Sequence, residues 1–289
     1  AVLDGVTTGT PRVPGVSAAV TDRRGTIYEG ARGVRNTGTG ESFEPDTVCA
    51  IFSTTKAIAG TACLQLVEEG LLDLDAPAKE YAPQLADIMV IEGFGKDGQP
   101  RLRPPKRDIT TRHLLTHTAG FSYDFFNETY TRLANEQGQP WVVDASWKSI
   151  KTPLLFDPGE QWSYGSNIDW AGMVLEGITG KRLGEVMQSR VLGPLGMADT
   201  AFTMTPSMQS RQATIHARED RDGSLVPLNG VTLPQDPEVH MGGHGLYGTA
   251  SDYVKFIRMW LNDGRSDSGE QILRPETVEM ASRNHLPKG

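Results

Sequence analysis

A Ser-x-x-Lys motif at the start of a predicted helix constrains this chain more than any other feature. Ser53 follows the apolar Phe52, and apolar residues then continue with helical spacing until Gly70. Ser53 and Lys56 are three residues apart, so they lie on one face of the first helical turn. A hydroxyl there stands beside an amine at the positive end of the helix dipole. That pairing suits a serine nucleophile whose proton is taken by a neutral lysine.

The motif also has a purely structural interpretation. Ser53 is a good N-cap residue, and Lys56 would then be a solvated residue of the first turn. A pattern this short arises about once by chance in a chain of this length. Ser53 is nevertheless the only serine here with lysine three residues later. On the spacing alone we favour the structural interpretation, so the choice depends on the rest of the chain.

Composition places the chain among globular proteins and removes some function classes. Its 289 residues suffice for one large or two ordinary domains, and a net charge of -8 argues against a nucleic-acid partner. No apolar run reaches membrane length, so we expect no membrane interaction. Cys49 and Cys63 lack the spacing of a metal or redox motif. We expect a cytoplasmic location and leave a periplasmic or secreted one open, because Ala1 could follow a cleavage site.

Several segments predict secondary structure. Residues 16–21 and 26–31 flank a turn and predict a β-hairpin, which needs further strands for stability. Residues 93–106 are polar and turn-rich, which predicts an exposed excursion. Thr249-Ala250-Ser251-Asp252 predicts a helix start. The aromatic-rich stretch 121–147 fits an apolar substrate pocket and an ordinary core equally well.

Three histidines and one tyrosine are candidates for chemistry. His113 and His117 are four apart, but Leu114 stands where a zinc-hydrolase motif has glutamate. Capping and packing therefore explain these histidines better, and we predict no metal. His244 lies among glycines, where the backbone can approach a ligand closely. Tyr164 lies in a predicted loop, where a phenol beside a lysine can act as a general acid or base, or else serve as a buried anchor.

Five motifs together resemble those of the serine β-lactamase-like superfamily and occur in the same order. They are Ser53-Thr54-Thr55-Lys56, His113-Leu114-Leu115-Thr116-His117-Thr118-Ala119-Gly120, Tyr164-Gly165-Ser166, Pro194-Leu195-Gly196-Met197-Ala198-Asp199-Thr200 and Gly242-Gly243-His244-Gly245-Leu246. The resemblance is to the class C branch and, within it, to the family VIII carboxylesterases. It extends over residues 13–273. With this resemblance we favour Ser53 as a nucleophile over Ser53 as a structural N-cap.

The resemblance implies an α/β fold, with an antiparallel sheet flanked by helices and an inserted, mostly helical region. Residues 1–72 and 205–289 would form the sheet domain, and residues 73–204 the helical domain. In the family, strands from the C-terminal end join the N-terminal hairpin, and one of them carries a third motif that supplies an oxyanion N–H group. We find no such motif before Gly289. We therefore expect these strands to come from a further segment or another chain.

The resemblance also implies a mechanism that needs no cofactor. Ser53 would attack an ester carbonyl and form an acyl-enzyme, while Lys56 and Tyr164 move protons, so the expected partner is a small-molecule ester. Position 166 usually holds asparagine in β-lactamases of this class, and the serine found here favours ester over β-lactam substrates. The implied substrate-binding residues are Ser166, Gly243 and His244.

Other activities of the same fold stay open at this point. They are β-lactamase activity, D-amino-acid peptidase or amidase activity, and acyl transfer to an alcohol. The alternative from a different class is a non-catalytic, penicillin-recognising homologue. Cephalosporin turnover and acylation of Ser53 would separate these alternatives.

Overall fold

A computed structural model describes residues 1–219 and 223–286 of the chain. Short antiparallel strand pairs alternate with helices. The strands are β1 (Gly15–Thr21), β2 (Thr26–Gly33), β3 (Cys49–Ala50), β4 (Val90–Phe94), β5 (Pro100–Arg103), β6 (His216–Arg218), β7 (Leu225–Pro227) and β8 (Tyr247–Gly248). The α-helices are α1 (Val2–Thr8), α2 (Thr55–Glu68), α3 (Thr111–Leu115), α4 (Glu128–Gln137), α5 (Trp147–Ile150), α6 (Asn167–Thr179), α7 (Leu183–Met187), α8 (Pro206–Ser210), α9 (Ala250–Leu261) and α10 (Pro275–Ala281). None of the described helices is long and apolar enough to cross a membrane.

The described chain forms two compact units, each assembled from segments that are distant in sequence. The first unit combines Ala1–Ile51, Leu192–Gln235 and Leu246–Pro275. The second combines Phe52–Val191, Asp236–Gly245 and the segment that begins at Glu276. The domain boundaries derived above from the resemblance, residues 1–72 with 205–289 and residues 73–204, stay a prediction.

The hairpin of β1 and β2 organises the first unit. The two strands pair antiparallel, with Val20 opposite Tyr28, which confirms the predicted hairpin. Helix α9 packs on β1. The Thr249 hydroxyl accepts a hydrogen bond from the Asp252 N–H group at the start of α9, so the predicted helix start is also confirmed. A separate apolar cluster of this unit consists of Val48, Met204, Met208, Leu233 and Tyr247.

Helices α2 and α6 pack against each other in the second unit. On α6, Trp170 is inaccessible to solvent, and its indole N–H donates to the Ile150 carbonyl. On α2, Ile58 and Leu66 are equally inaccessible. Full burial of each such side chain stabilises the fold by about 2 kcal/mol. This packing fixes the N-terminal ends of both helices, next to which Ser53 and Ser166 lie.

The structure adds a hairpin to one local prediction and corrects another. Residues 93–106, predicted as an exposed excursion, include no buried residue, and they form most of a hairpin in which β4 pairs antiparallel with β5 and Ile91 lies opposite Leu102. The apolar residues that begin β4 are buried, and the turn-rich part of the segment closes the hairpin. Ser53 is not the N-cap of its helix, since α2 begins at Thr55 and Ser53 lies in a preceding 3-10 turn, Phe52–Thr54.

Both cysteines are free thiols. Cys63 is inaccessible on α2, and burial raises the pKa of its thiol to about 12. Burial also raises the pKa of the Cys49 thiol to about 11. Neither thiol is therefore a reactive nucleophile at neutral pH, since thiolate is the reactive form.

Candidate active site

Ser53 lies in the 3-10 turn that leads into α2 and follows a strained residue. Phe52 has a φ of 40°, in the left-handed region that residues other than glycine rarely adopt. Such a conformation costs roughly 1–3 kcal/mol, and residues of this kind concentrate at functional sites. The tight turn directs the Ser53 hydroxyl toward Lys56 and Tyr164.

Lys56 and Tyr164 both reach the Ser53 hydroxyl. The Tyr164 hydroxyl donates to Ser53 Oγ at 2.8 Å, and Lys56 Nζ donates to the same oxygen at 3.3 Å. Lys56 Nζ also lies 4.7 Å from the centroid of the Tyr164 ring, where the π face favours a cation. The structure thus brings together the three residues predicted to be catalytic.

Two further groups hold the Lys56 amine. Nζ donates to the Gly243 backbone carbonyl at 2.6 Å and to the Tyr123 hydroxyl at 3.1 Å. Tyr123 is buried, and burial is the main reason why the pKa of its phenol is raised. The Tyr123 hydroxyl therefore stays protonated at neutral pH. Tyr123 has no sequence signature as an active-site residue, because nothing in the spacing of the aromatic-rich stretch connects it with Lys56.

His117 supports the ring of Tyr164. The two ring centroids are 4.8 Å apart. Burial, followed by the charge of Lys56, lowers the pKa of His117 to about 4, so the imidazole is neutral at pH 7. Its Nδ1 then accepts a hydrogen bond from the Asn167 amide at 3.0 Å. His117 is a neutral packing group beside the phenol.

His113 acts at a helix end. The imidazole Nδ1 of His113 accepts a hydrogen bond from the Thr110 backbone N–H at 3.2 Å. The His113 backbone N–H donates to the Thr110 hydroxyl. These reciprocal bonds form a capping box at the start of α3. Across residues 1–219 and 223–286, no group of three or more His, Cys, Asp or Glu side chains could hold a metal ion.

The Tyr164 loop is held by close backbone contact. A Cβ atom at Gly165 would lie 2.3 Å from the Ser122 Cα atom, so only glycine fits there. Ser166 is only 2% exposed, and its hydroxyl has no hydrogen-bond partner among the described residues. Its predicted role in substrate binding stays a prediction, and the structure does not include its hydroxyl in the Ser53 hydrogen-bond network.

The Gly243 turn is tied to a buried carboxylate. The Gly243 N–H group donates to Asp169 Oδ1 at 2.8 Å. His244 Nδ1 lies 3.8 Å from the same oxygen, but burial lowers the pKa of the imidazole, so the two groups do not form an ion pair at neutral pH. Gly243 reaches Lys56 through its carbonyl, whereas His244 is buried. Substrate binding by Gly243 and His244 stays a prediction.

Exposed aromatic rings surround Tyr164. Trp162 stacks on its ring with centroids 6.3 Å apart, and Phe126 lies at 6.2 Å. Phe125 packs edge-on against Phe126 at 4.6 Å. More than half of each of these three side chains is exposed, whereas Phe121 and Tyr130 of the same aromatic-rich stretch are buried. That stretch therefore supplies both core residues and an open apolar surface next to Tyr164.

A family model described as Beta-lactamase matches residues 3–289 of the sequence. The chain belongs to the Beta-lactamase family. The match covers nearly the whole sequence, so the superfamily resemblance carried by the five motifs is confirmed.

Relatives of this Beta-lactamase-family chain include enzymes named for acyl chemistry. It is 36% identical over 304 residues to lovastatin esterase of Penicillium rubens. That alignment covers 96% of this chain and 70% of the esterase. It is 34% identical over 282 residues to monacolin J acid methylbutanoyltransferase of Aspergillus terreus, with coverages of 93% and 66%. A solved mutant of simvastatin synthase from Aspergillus terreus matches with a TM-score of 0.85 at 32% identity, over 99% of this chain and 68% of that one. The chain thus spans about two thirds of the length of these relatives, and the predicted mixed α/β fold is confirmed.

Proposed function

We propose that the protein hydrolyses small carboxylic esters through an acyl-enzyme on Ser53. The observation that carries this proposal is the convergence of the Tyr164 hydroxyl and Lys56 Nζ on Ser53 Oγ, at 2.8 and 3.3 Å. Covalent catalysis needs a nucleophile within hydrogen-bond reach of a base, and a third group that orients the base. The names of the relatives, an esterase and an acyltransferase, support acyl chemistry of this kind.

Acylation transfers the hydroxyl proton of Ser53 to a base. Ser53 Oγ attacks the ester carbonyl carbon while a neutral Lys56 amine takes the hydroxyl proton, either directly or through Tyr164. The carbonyl oxygen becomes an oxyanion, for which the Ser53 backbone N–H group is one donor. When the C–O bond to the alcohol breaks, Lys56 or Tyr164 returns a proton to the leaving oxygen. The acyl group stays on Ser53.

Deacylation repeats these steps with a new nucleophile. Water yields the carboxylic acid, and the same residues take its proton and return a proton to Ser53. An alcohol in place of water yields a new ester, so acyl transfer is the second candidate function. The methylbutanoyltransferase and simvastatin synthase relatives favour this second candidate.

The open surface beside Tyr164 favours a substrate with an apolar group. Trp162, Phe125 and Phe126 are exposed aromatic side chains linked by ring contacts to Tyr164. Aromatic surfaces bury a large apolar area when a ligand covers them. We therefore expect the acyl or alcohol part of the ester to be apolar.

Labelling with a fluorophosphonate and turnover of p-nitrophenyl butyrate test the proposal. We expect the probe to modify Ser53, as read by peptide mass, and we expect Ser53→Ala to lose both labelling and turnover. Ser163→Ala, close to Tyr164 in sequence, is the matched control and should keep both. Wild-type turnover in Ser53→Ala would disprove the acyl-enzyme.

The two candidate functions differ in the product formed when an alcohol is present. With p-nitrophenyl butyrate and added 1-butanol, hydrolysis yields butyric acid, whereas acyl transfer yields butyl butyrate. Gas chromatography measures the ratio of the two products. Turnover of a chromogenic cephalosporin at a comparable rate would instead favour β-lactamase activity.

A further inference from the structure

A buried carboxylate is separated from the Lys56 amine by a single residue, Gly243. Asp169 is inaccessible to solvent, and its Oδ1 accepts a hydrogen bond from the Gly243 N–H group at 2.8 Å. Its other oxygen, Oδ2, has no hydrogen-bond partner among the described residues. An incompletely paired buried carboxylate is costly, so its presence calls for a specific role.

Gly243 links Asp169 to Lys56 because both of its backbone polar groups are engaged. Its N–H group donates to Asp169, and its carbonyl accepts from Lys56 Nζ at 2.6 Å. The turn around it closes through the N–H groups of His244 and Gly245, which donate to the Met241 carbonyl at 3.2 and 2.9 Å. A Cβ atom at Gly243 would meet both Asp169 carboxylate oxygens at 2.8 Å, so glycine is what permits this approach.

The Gly243 carbonyl determines where the lone pair of a neutral Lys56 amine points. A neutral amine has two N–H bonds and one lone pair. When the N–H bonds are directed at the Gly243 carbonyl and the Tyr123 hydroxyl, the lone pair is left facing Ser53 Oγ, 3.3 Å away. Orientation of this kind is a large part of catalysis by a positioned base.

We propose that Asp169 is a positioning residue, which holds Gly243 so that the Gly243 carbonyl orients the Lys56 lone pair toward Ser53. The proposal rests on the acyl-enzyme function proposed above. A positioning role differs from a purely structural role for Asp169, which would affect folding but not kcat, the rate at which bound substrate reacts. Measurement of kcat and KM therefore distinguishes the two roles.

The first test compares Asp169→Ala with Asp169→Asn, using p-nitrophenyl butyrate. Asp169→Ala removes the acceptor of the Gly243 N–H group and should lower kcat about a hundredfold while KM stays within about threefold. Asp169→Asn keeps an amide oxygen in its place and should recover most of the rate. Glu176→Ala is the matched control: it lies on the same helix, its Oε1 accepts the Leu183 N–H group at 2.8 Å, and it should leave kcat unchanged.

A double-mutant cycle provides a second test, in which circular dichroism checks that each variant is folded. Gly243→Ala places a methyl group against the Asp169 carboxylate, displaces the carbonyl and should lower kcat by itself. Because both changes act on one carbonyl, the double variant should be about as slow as the slower single variant. Multiplication of the two effects would show that they are independent and overturn the proposal.

The remaining outcomes separate this proposal from the proposed function. If the fluorophosphonate labels wild-type Ser53 and both Asp169→Ala and Gly243→Ala are labelled at the wild-type rate, the positioning role is wrong and the acyl-enzyme stands. A higher KM with unchanged kcat in Asp169→Ala would also disprove positioning. If wild-type Ser53 is never labelled and no ester is turned over, both proposals are wrong.

Discussion

The imidazole of His117 lies against the phenol ring of Tyr164, with 4.8 Å between the ring centroids. The His117 backbone is left-handed, with a φ of 58°, and Asn167 holds the ring through Nδ1. A titratable group thus supports the tyrosine that donates to Ser53. The state of His117 is therefore expected to affect the stability of this part of the second unit.

The first prediction concerns the pH dependence of stability. Burial lowers the pKa of His117 to about 4, below the ordinary value of 6.5. Between these values the unfolded state binds more protons, so the contribution of His117 to stability is complete above pH 6.5 and is lost as the pH falls toward 4. His117→Asn should show a smaller loss over this window in urea unfolding, and asparagine tolerates the left-handed backbone. Equal losses in both proteins would contradict the assignment.

The second prediction concerns Lys56. Lys56→Ala removes the base beside Ser53 and should lower kcat/KM for p-nitrophenyl butyrate about a thousandfold. Lys79→Ala is the control, because the Lys79 amine is paired with Asp108 and not with Ser53. Circular dichroism checks that both variants are folded. Full activity of Lys56→Ala would remove the lysine from the mechanism.

The third prediction separates Tyr123 from other buried tyrosines. Tyr123→Phe keeps the ring but removes the hydroxyl that accepts from Lys56 Nζ, so kcat should fall about tenfold. Tyr130→Phe removes a hydroxyl that donates to the Pro153 carbonyl and should leave kcat unchanged. Steady-state kinetics of both variants measure the difference. The same kcat in Tyr123→Phe and wild type would mean that Tyr123 does not hold the amine.

The fourth prediction tests the role expected for Ser166. Its hydroxyl is buried without a hydrogen-bond partner among the described residues, so Ser166→Ala should raise the free energy of unfolding by about 1 kcal/mol. With the hydroxyl enclosed, kcat and KM should stay within about twofold of the wild-type values. Urea unfolding and steady-state kinetics measure these effects. A clear rise in KM would instead support substrate binding through this hydroxyl.

Features that depend on neighbouring residues were predicted correctly, whereas features that depend on contacts between distant residues were not. The β1–β2 hairpin and the start of α9 were predictable because turn and cap residues act on their immediate neighbours. The position of Ser53 before its helix was not, because the left-handed Phe52 and the 3-10 turn move the N-cap by one residue, to Thr54. The exposure of residues 93–106 was predicted from their polar composition, but that composition did not reveal the β4–β5 hairpin, whose buried residues Val90 and Ile91 precede the segment.

Short motifs in a given order were enough to identify the family and to group Ser53, Lys56 and Tyr164, because each motif is a local pattern of residue types. The groups that surround Lys56 became visible in the fold alone. Gly243 is 187 residues away from it in sequence, and it acts through a backbone carbonyl, a group that every residue carries and that has no sequence signature. Asp169 and Tyr123 likewise belong to no recognised motif, and their burial and hydrogen bonds are what distinguish them from other aspartates and tyrosines.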